Sequence, residues 1–214
     1  MATQHIPTLI LGLTVTVYWL YVARMVHRVR EDAGHVRRVL VPAQRREKLM
    51  WILWVPVIVG WLSTPLKVAF GFGNRFDQMV LAPALASSTI VLVTRFITMG
   101  VALGCLALSI VTWRHMGEQW RMGIDPTQKI RLLVDGPFAK VRHPIYSLSI
   151  LLMLCSVAIL PCPTMFVLAA IHITLMHIKA RNEEAHLARM HGDAWLRYVE
   201  RTGRFLPRVA GRHS

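Results

Sequence analysis

Apolar residues in this chain gather into long blocks, and the charged residues lie between the blocks. Residues 6–23 hold no charged side chain over 18 positions, which is enough helix to cross a hydrocarbon core of about 30 Å. The same pattern predicts five membrane spans, near residues 6–25, 49–70, 83–113, 145–160 and 164–178. We therefore expect an all-α integral membrane protein that forms a single domain over residues 1–214.

Some of these spans have ambiguous limits. The region 83–113 is interrupted only by Arg95, and it fits either one long tilted helix or an interfacial helix followed by a shorter span. Arg95 is expected to snorkel to the outer membrane boundary. The runs 145–160 and 164–178 are each marginal for a full crossing at about 1.5 Å per residue. They predict a short helical hairpin around a proline-rich turn.

Composition and charge agree with a membrane protein. Hydrophobic residues make up 54% of the chain and charged residues 17%, whereas a soluble domain usually carries about 25% charge. The formal charge is +14, and Lys and Arg crowd into the polar segments, as topology signals do. We expect contact with the lipid bilayer, no nucleic-acid binding, an outside N-terminus, and a cytoplasmic active site and C-terminus.

The sequence lacks the motifs of several common chemistries. Its three cysteines have no ligand-like spacing. The histidines between residues 172 and 191 do not form the i,i+4 pair of a helical metal site, so no metal is expected. There is no GxGxxG after a strand, no Walker A motif and no GxSxG elbow. Hydride, phosphoryl and serine-hydrolase chemistry therefore have no local signature.

Two polar segments flank the predicted hairpin on the same side. The first ends in GPFAKVRHPIY and the second begins KARNEEAHLARMHGDAW. Topology alone should bring His143 and Tyr146 close to Glu183 and Glu184. Donors, acceptors and aromatic groups beside apolar walls are typical of a small-molecule site.

These residues also have purely structural interpretations. Arg142 could mark the cytoplasmic interface, and Trp195 and Tyr198 are typical of interface anchors. Lys179 lies four residues before Glu183, so the two can form an intrahelical ion pair. The combination of the residues, more than any one of them, favours a site.

The segment LLVDGPFAKVRHPIY resembles the LVTxGPYxxVRHPxY signature of the isoprenylcysteine carboxyl methyltransferase family and its phospholipid methyltransferase relatives. The later segment NEEAHLARMHGDAWLRYVERTGRFLP resembles the second conserved block of that family. EQWRMGI resembles the tryptophan-containing loop before the first block. Together the similarity covers roughly residues 115–208.

The resemblance implies a membrane methyltransferase that uses S-adenosyl-L-methionine without a Rossmann domain. The cofactor pocket would lie between the loop before the RHP helix and the helix after the hairpin. Cofactor-lining positions carried over from the family are Leu133, Gly136, Pro137, Phe138, His143, Pro144, Tyr146 and Glu183, with Glu184 as the neighbouring alternative. Lys179 matches a basic position that would face the acceptor.

The chemistry of the residues agrees with this implication. A carboxylate such as Glu183 suits the ammonium and ribose hydroxyls of the cofactor, and His143 or Arg142 suits its carboxylate. Aromatic faces, for which Tyr146, Phe138 and Trp120 are candidates, suit a sulfonium. Methyl transfer is an in-line displacement that mainly needs alignment. Lys179 or Arg181 could supply a cation beside the acceptor, and His143 is a candidate general base.

The methyl acceptor stays open. An isoprenylcysteine-like carboxylate, a small thiol or another amphipathic or small apolar acceptor fits the resemblance. A phospholipid N-methyltransferase is an alternative, although RHP in place of an Asn-Pro variant disfavours it. Leu148 stands where the family usually has Gly, which weakens the inference that this chain acts on the substrate of the family. An NADPH-dependent membrane reductase of the sterol-reductase type and a non-catalytic scaffold are further alternatives. The oligomeric state is not predicted.

Overall fold

The structure is a computed structural model, and it describes residues 2–32, 45–72, 88–117, 120 and 131–208. These residues form six α-helices: α1 Ala2–Asp32, α2 Arg45–Ala69, α3 Thr89–Met116, α4 Pro144–Ile159, α5 Pro163–His191 and α6 Asp193–Arg201. A short 3-10 helix, Gly136–Ala139, precedes α4. No β-strand forms within the described ranges. The predicted all-α fold is therefore confirmed.

Four of the helices are long and apolar enough to cross a membrane. The candidate spans are His5–Arg28, Leu49–Ala69, Thr89–Met116 and Pro163–His191. The apolar helix α4 has 16 residues and is about 24 Å long, which is less than a hydrocarbon core of about 30 Å. The fifth crossing and the orientation of the termini stay predictions.

Helix α3 covers most of the long apolar region. It begins at Thr89, so residues 83–87 of the predicted span, and the interfacial helix considered there, lie outside the described residues. Arg95 donates from Nε to the carbonyl oxygen of Ile159 at 2.7 Å. This carbonyl lies at the C-terminal end of α4, where helices leave C=O groups without partners. Arg95 therefore caps α4, which is more specific than the snorkelling that the sequence predicts.

Helix α5 is much longer than the predicted span 164–178. It continues without interruption to His191 and ends at Gly192, which has a φ of 48°. The charged residues after position 178 do not end the helix, because Lys179 is buried and pairs with Glu183 one turn later. The second arm of the hairpin and the helix predicted after it are thus one continuous helix, and the prediction of a short second arm was wrong.

The core lies where the five longest helices, α1 to α5, meet. Leu11, Trp61, Leu152 and Met165 are fully buried there. The indole N–H of Trp61 donates to the Ser156 hydroxyl at 2.9 Å, which joins α2 to α4. Because this polar pair is satisfied inside an apolar core, its burial carries no unpaired-group penalty.

The opposite faces of the long helices expose large apolar side chains. Leu20 on α1, Ile52 on α2 and Ile90 on α3 are each more than 60% exposed. An apolar exterior of this kind suits contact with lipid tails, where no hydrophobic penalty applies. The helices therefore pack a core inward and present a lipid-compatible surface outward.

Candidate active site

The two segments that resemble the family motifs, residues 132–146 and 182–207, are called the signature segments, and their backbones meet just before α4. Val141 and Gly203 form an isolated parallel bridge. The Arg142 N–H donates to the Gly203 carbonyl at 2.9 Å, and the His143 N–H donates to the Arg204 carbonyl at 3.1 Å. Residues some 60 positions apart are therefore fixed side by side at the entrance to α4.

Two glycines are required for this arrangement. A Cβ at Gly203 would lie 1.8 Å from the carbonyl oxygen of Leu206, so any larger residue would displace residues 202–206, which we call the closing segment. Gly136 has a φ of 54°, and a Cβ there would lie 2.8 Å from the His115 ring. Left-handed backbone and close approach both favour glycine. Close approach and backbone conformation thus explain why glycine occupies these two positions.

Glu184 joins the two segments through its side chain. Its carboxylate accepts a hydrogen bond from Arg142 Nε at 3.0 Å and is paired with both Nε and Nη2 of Arg204. His143 Nε2 lies 3.3 Å from the same carboxylate. Arg142 also donates to the Thr202 carbonyl. Because it binds residues from both segments, Glu184 fastens the closing segment against the start of α4.

Glu183, one residue earlier on α5, forms a second cluster. The Tyr146 hydroxyl donates to Oε1 of Glu183 at 2.5 Å, and Lys179 Nζ lies 3.3 Å from the same oxygen. His143 Nδ1 lies 3.7 Å from Oε2, and its ring stacks on Tyr146 at 5.3 Å. The buried His143 ring therefore stands between two carboxylates, Glu183 and Glu184. The ion pair between Lys179 and Glu183 is present as predicted.

A cavity opens beside the Glu183 cluster. Its volume is about 200 Å³. Its polar lining comes mainly from Arg142, His143, Tyr146, Lys179 and Glu183, joined by Arg131, Ser149 and His186. Polar groups that converge on one side of an apolar pocket are what orients a small molecule.

The rest of the cavity wall is largely aromatic. Tyr18 and Trp19 from α1, Trp54 from α2 and Trp113 from α3 line it. Their rings are packed against one another, with centroids 5.0 Å apart for Tyr18 and Trp113 and 5.6 Å apart for Trp19 and Trp54. Such contacts hold large rings in fixed positions. The cavity therefore has a charged end and an aromatic end.

The structure brings most of the predicted site residues to this cavity. They are Trp120, Leu133, Phe138, Arg142, His143, Pro144, Tyr146, Lys179 and Glu183. Gly136 and Pro137 lie next to the wall in the 3-10 helix. Glu184 is absent from the lining and is engaged with the arginines, and Arg181 is exposed and also absent from it. The roles assigned to these residues stay predictions.

Sequence reasoning missed the contribution of the first three helices. Tyr18, Trp19, Trp54 and Trp113 stand in apolar runs without a recognisable motif. The signal available in the sequence was the presence of large aromatic residues in each of the first three apolar spans. The alternative interpretation of Trp195 as an interface anchor does not hold, since Trp195 is buried and lines the cavity.

The same alternative interpretation fails for Tyr198. It is buried, and its hydroxyl donates to the carbonyl of Phe138 at 2.8 Å. Burial raises the pKa of the Tyr198 phenol to about 12. The Glu184 carboxylate raises the pKa of the Arg204 guanidinium above its usual value. Both shifts belong to groups that hold the closing segment in place.

The described residues contain no group of three His, Cys, Asp or Glu side chains that could hold a metal ion. What they do contain at the cavity is a carboxylate, three cationic side chains and two imidazoles next to packed aromatic rings. This set can bind a zwitterion and align an apolar partner beside it.

Helices able to cross a membrane surround this cavity, which defines an integral membrane protein with a ligand-sized site. Within that class, residues 93–194 match the phospholipid methyltransferase family. The match confirms the resemblance seen in the sequence, and it spans most of α3 and all of α4 and α5. No curated protein matches the chain.

Proposed function

We propose that this protein is a membrane methyltransferase that takes its methyl group from S-adenosyl-L-methionine. The observation that supports the proposal most strongly is the juxtaposition of Glu183, His143 and Tyr146 at one cavity. These residues come from the two segments that resemble the family signature. The family match over the same region supports methyl transfer as the reaction.

The residues present fit this cofactor. Glu183 is partly open to the cavity and can accept hydrogen bonds from an ammonium or from ribose hydroxyls. Arg142 and His143 can bind a carboxylate. The aromatic wall, including Trp120 and Phe138, can lie against a sulfonium or an adenine ring. Each polar part of the cofactor therefore has a complementary residue at the same cavity.

When bound, the cofactor supplies an activated methyl group on a positively charged sulfur. The protein's task is then alignment and exclusion of water, which in well-ordered systems can contribute several kcal/mol, about 7–11 at the upper end. Buried Trp113, Trp120 and Trp195 close the wall to solvent. Lys179, held by Glu183, places a cation where an ionised acceptor would be stabilised.

We propose an amphipathic or small apolar methyl acceptor, such as an isoprenylcysteine-like carboxylate or a thiol, which enters from the bilayer. The aromatic end of the cavity supports an apolar acceptor. Phospholipid N-methylation is a second candidate, because the matched family carries that name. Both candidates share the cofactor and differ in the acceptor.

We propose that the cavity mouth faces the cytoplasm. Arg24 and Arg28 lie at the C-terminal end of the α1 span, and Arg114 lies at the end of α3. Basic residues of this kind favour the cytoplasmic side. Labelling of single-cysteine variants at position 24 and position 5 in intact cells and in inverted vesicles tests this; position 24 should react only in inverted vesicles.

Calorimetry of the purified full chain with S-adenosylhomocysteine tests the function. We expect saturable binding that is weakened at least tenfold in Glu183→Ala and His143→Ala. Glu200→Ala and His177→Ala are matched controls, because those side chains are exposed and lie outside the cavity. Equal binding by all four variants, or no binding by the wild type, would contradict the proposal.

A further inference from the structure

Three buried polar atoms in the cavity wall make no hydrogen bond within the described part of the chain. They are the indole nitrogen of Trp19 and the Nε2 atoms of His143 and His186. His143 Nε2 lies 3.3 Å from the Glu184 carboxylate, which complements it electrostatically. The Trp19 N–H can only donate, and it belongs to the aromatic end of the cavity. His186, which is 6% exposed, is left as a buried imidazole without a matching group.

His186 lies on the cavity side of α5, beyond the charged cluster. The cavity-lining residues of this helix include Met176, Lys179, Glu183 and His186. Spacings of three and four residues place them on one face of the helix. His186 is three residues closer than Glu183 to the end of α5, which is about 4.5 Å along the axis. We call this part of the cavity the outer end, since it lies on the opposite side of the charged cluster from the aromatic end.

Flat apolar side chains line the wall at the outer end. Trp120 comes from just after α3, Phe138 from the 3-10 helix before α4, and Trp195 from α6. The Phe138 ring lies 6.3 Å from that of His115 at the end of α3, and the Phe138 carbonyl accepts from Tyr198 of α6 at 2.8 Å. The end of α3, the segment before α4, and α6 are therefore held together beside the end of α5.

This combination fits the base of the proposed cofactor. Adenine has two flat faces, which suit contact with aromatic side chains, and an edge that carries an amino donor and a ring-nitrogen acceptor. An imidazole nitrogen can either donate or accept, according to the tautomer. The other polar parts of the cofactor are charged groups and ribose hydroxyls, which suit Arg142 and Glu183. Because a buried polar group without a partner is costly, binding the base would also satisfy His186.

We propose that the outer end of the cavity binds the adenine ring, and that Nε2 of His186 hydrogen-bonds the edge formed by the 6-amino group and N1. His186 is then a binding residue that sets the specificity for the base. Glu183, one turn inward, is placed for the ribose hydroxyls, and the aromatic end is left for the methyl acceptor. This inference rests on the proposed methyltransferase function.

The test compares two ligands by calorimetry with the purified full chain in detergent. One is S-adenosylhomocysteine, and the other is its counterpart with benzimidazole in place of adenine, which keeps the flat shape but lacks the amino group and N1. His186→Phe keeps a flat ring and removes both nitrogens. We expect it to weaken binding of S-adenosylhomocysteine by about 5- to 10-fold, because the buried edge of the base loses its partner, and to leave binding of the counterpart unchanged.

His177→Phe is the matched control. His177 is on the same helix, is exposed and does not line the cavity, so this variant should bind both ligands as the wild type does. His186→Gln keeps a group that can donate and accept, and it should recover part of the lost affinity. His186→Leu should repeat the result of His186→Phe, so the test does not depend on the folding of one variant, which unfolding in micelles checks.

Two sets of results are distinguishable. If the wild type binds S-adenosylhomocysteine, this inference alone is overturned by equal affinity in the wild type and the Phe and Leu variants of His186. An equal loss of affinity for the two ligands also overturns it, because His186 would then act on another part of the ligand or on the packing of the wall. Failure of the wild type to bind S-adenosylhomocysteine overturns the methyltransferase proposal, and this inference with it.

Discussion

Glu184→Gln tests how the two signature segments are held together. The substitution keeps the size of the side chain and removes its charge. Arg142, whose side chain is 10% exposed, would lose its carboxylate partner, and so would Arg204, whose side chain is 33% exposed. We therefore expect a loss of stability that is larger on the Arg142 side than on the Arg204 side.

The magnitude follows from the burial of the partners. Hydrogen bonds to charged groups contribute about 1.5–3 kcal/mol, and the Arg142 contact is buried enough to count near the middle of that range. Solvent screens the Arg204 contact, which reduces it to about 1 kcal/mol or less. Together the contacts predict a decrease of about 3 kcal/mol in the free energy of unfolding for Glu184→Gln.

A pair of double-mutant cycles measures these contributions. Equilibrium unfolding in mixed detergent and SDS micelles is compared for Glu184→Gln, Arg142→Met, Arg204→Met and the two double variants. We expect coupling energies of about 2 kcal/mol for the pair with Arg142 and about 1 kcal/mol or less for the pair with Arg204. The exposed Glu200 serves as the control position, with Glu200→Gln.

Two results would refute this reasoning. One is a coupling energy within about 0.3–0.5 kcal/mol of zero for the Arg142 pair, which is the scatter expected of independent sites. The other is a loss in Glu200→Gln as large as that in Glu184→Gln. Either result would mean that the Glu184 cluster does not fasten the closing segment.

Three further predictions concern single positions. Gly203→Ala should lower the thermal midpoint and abolish S-adenosylhomocysteine binding, because its Cβ would overlap a carbonyl oxygen, whereas Gly100→Ala, which has open space around it, should do neither. Arg95→Met should destabilise the protein by about 1.5–3 kcal/mol in micelle unfolding through loss of the cap on Ile159; an unchanged midpoint would exclude the cap. Tyr198→Phe should lower the free energy of unfolding by about 1 kcal/mol at pH 8. The difference from the wild type should shrink above pH 10, because the phenol has a pKa of about 12 in the folded protein and near 10 in the unfolded one, so the wild type loses stability as the pH rises. A pH-independent difference would contradict this.

The sequence predicted the parts of the fold that depend on hydrophobic length. Residues 6–25 and 49–70 fall within α1 and close to the described span of α2, and 145–160 differs from α4 by one residue at each end. An uncharged stretch long enough to span a bilayer leaves few alternatives to a helix, because backbone groups need internal partners in lipid.

The continuity of α5 from the second arm of the hairpin into the charged segment after it could not be predicted in this way. Its charged residues after position 178 are satisfied by partners that are distant in sequence, as for Glu184 with Arg142 and Arg204. A prediction based on hydropathy ends the membrane helix at the charged residues, because it takes no account of contacts with those partners. The stop signal that does act is Gly192, whose positive φ ends the helix.

The polar part of the candidate site could be predicted from the sequence, and the aromatic part could not. Motif spacing identified His143, Tyr146 and Glu183, which the structure places at one cavity. The division between Glu183 at the cavity and Glu184 at the closing segment was not visible, because adjacent residues on a helix point about 100° apart and only packing decides which faces inward. The aromatic wall from α1–α3 was missed since burial, not a motif, defines it.

An experimental structure of the full chain with S-adenosylhomocysteine tests the central claim most directly. The account predicts the ligand inside the cavity, with Glu183 and His143 in polar contact and the rings of α1–α3 on its apolar side. A ligand bound elsewhere on the protein, or an empty cavity at saturating concentration, would contradict it.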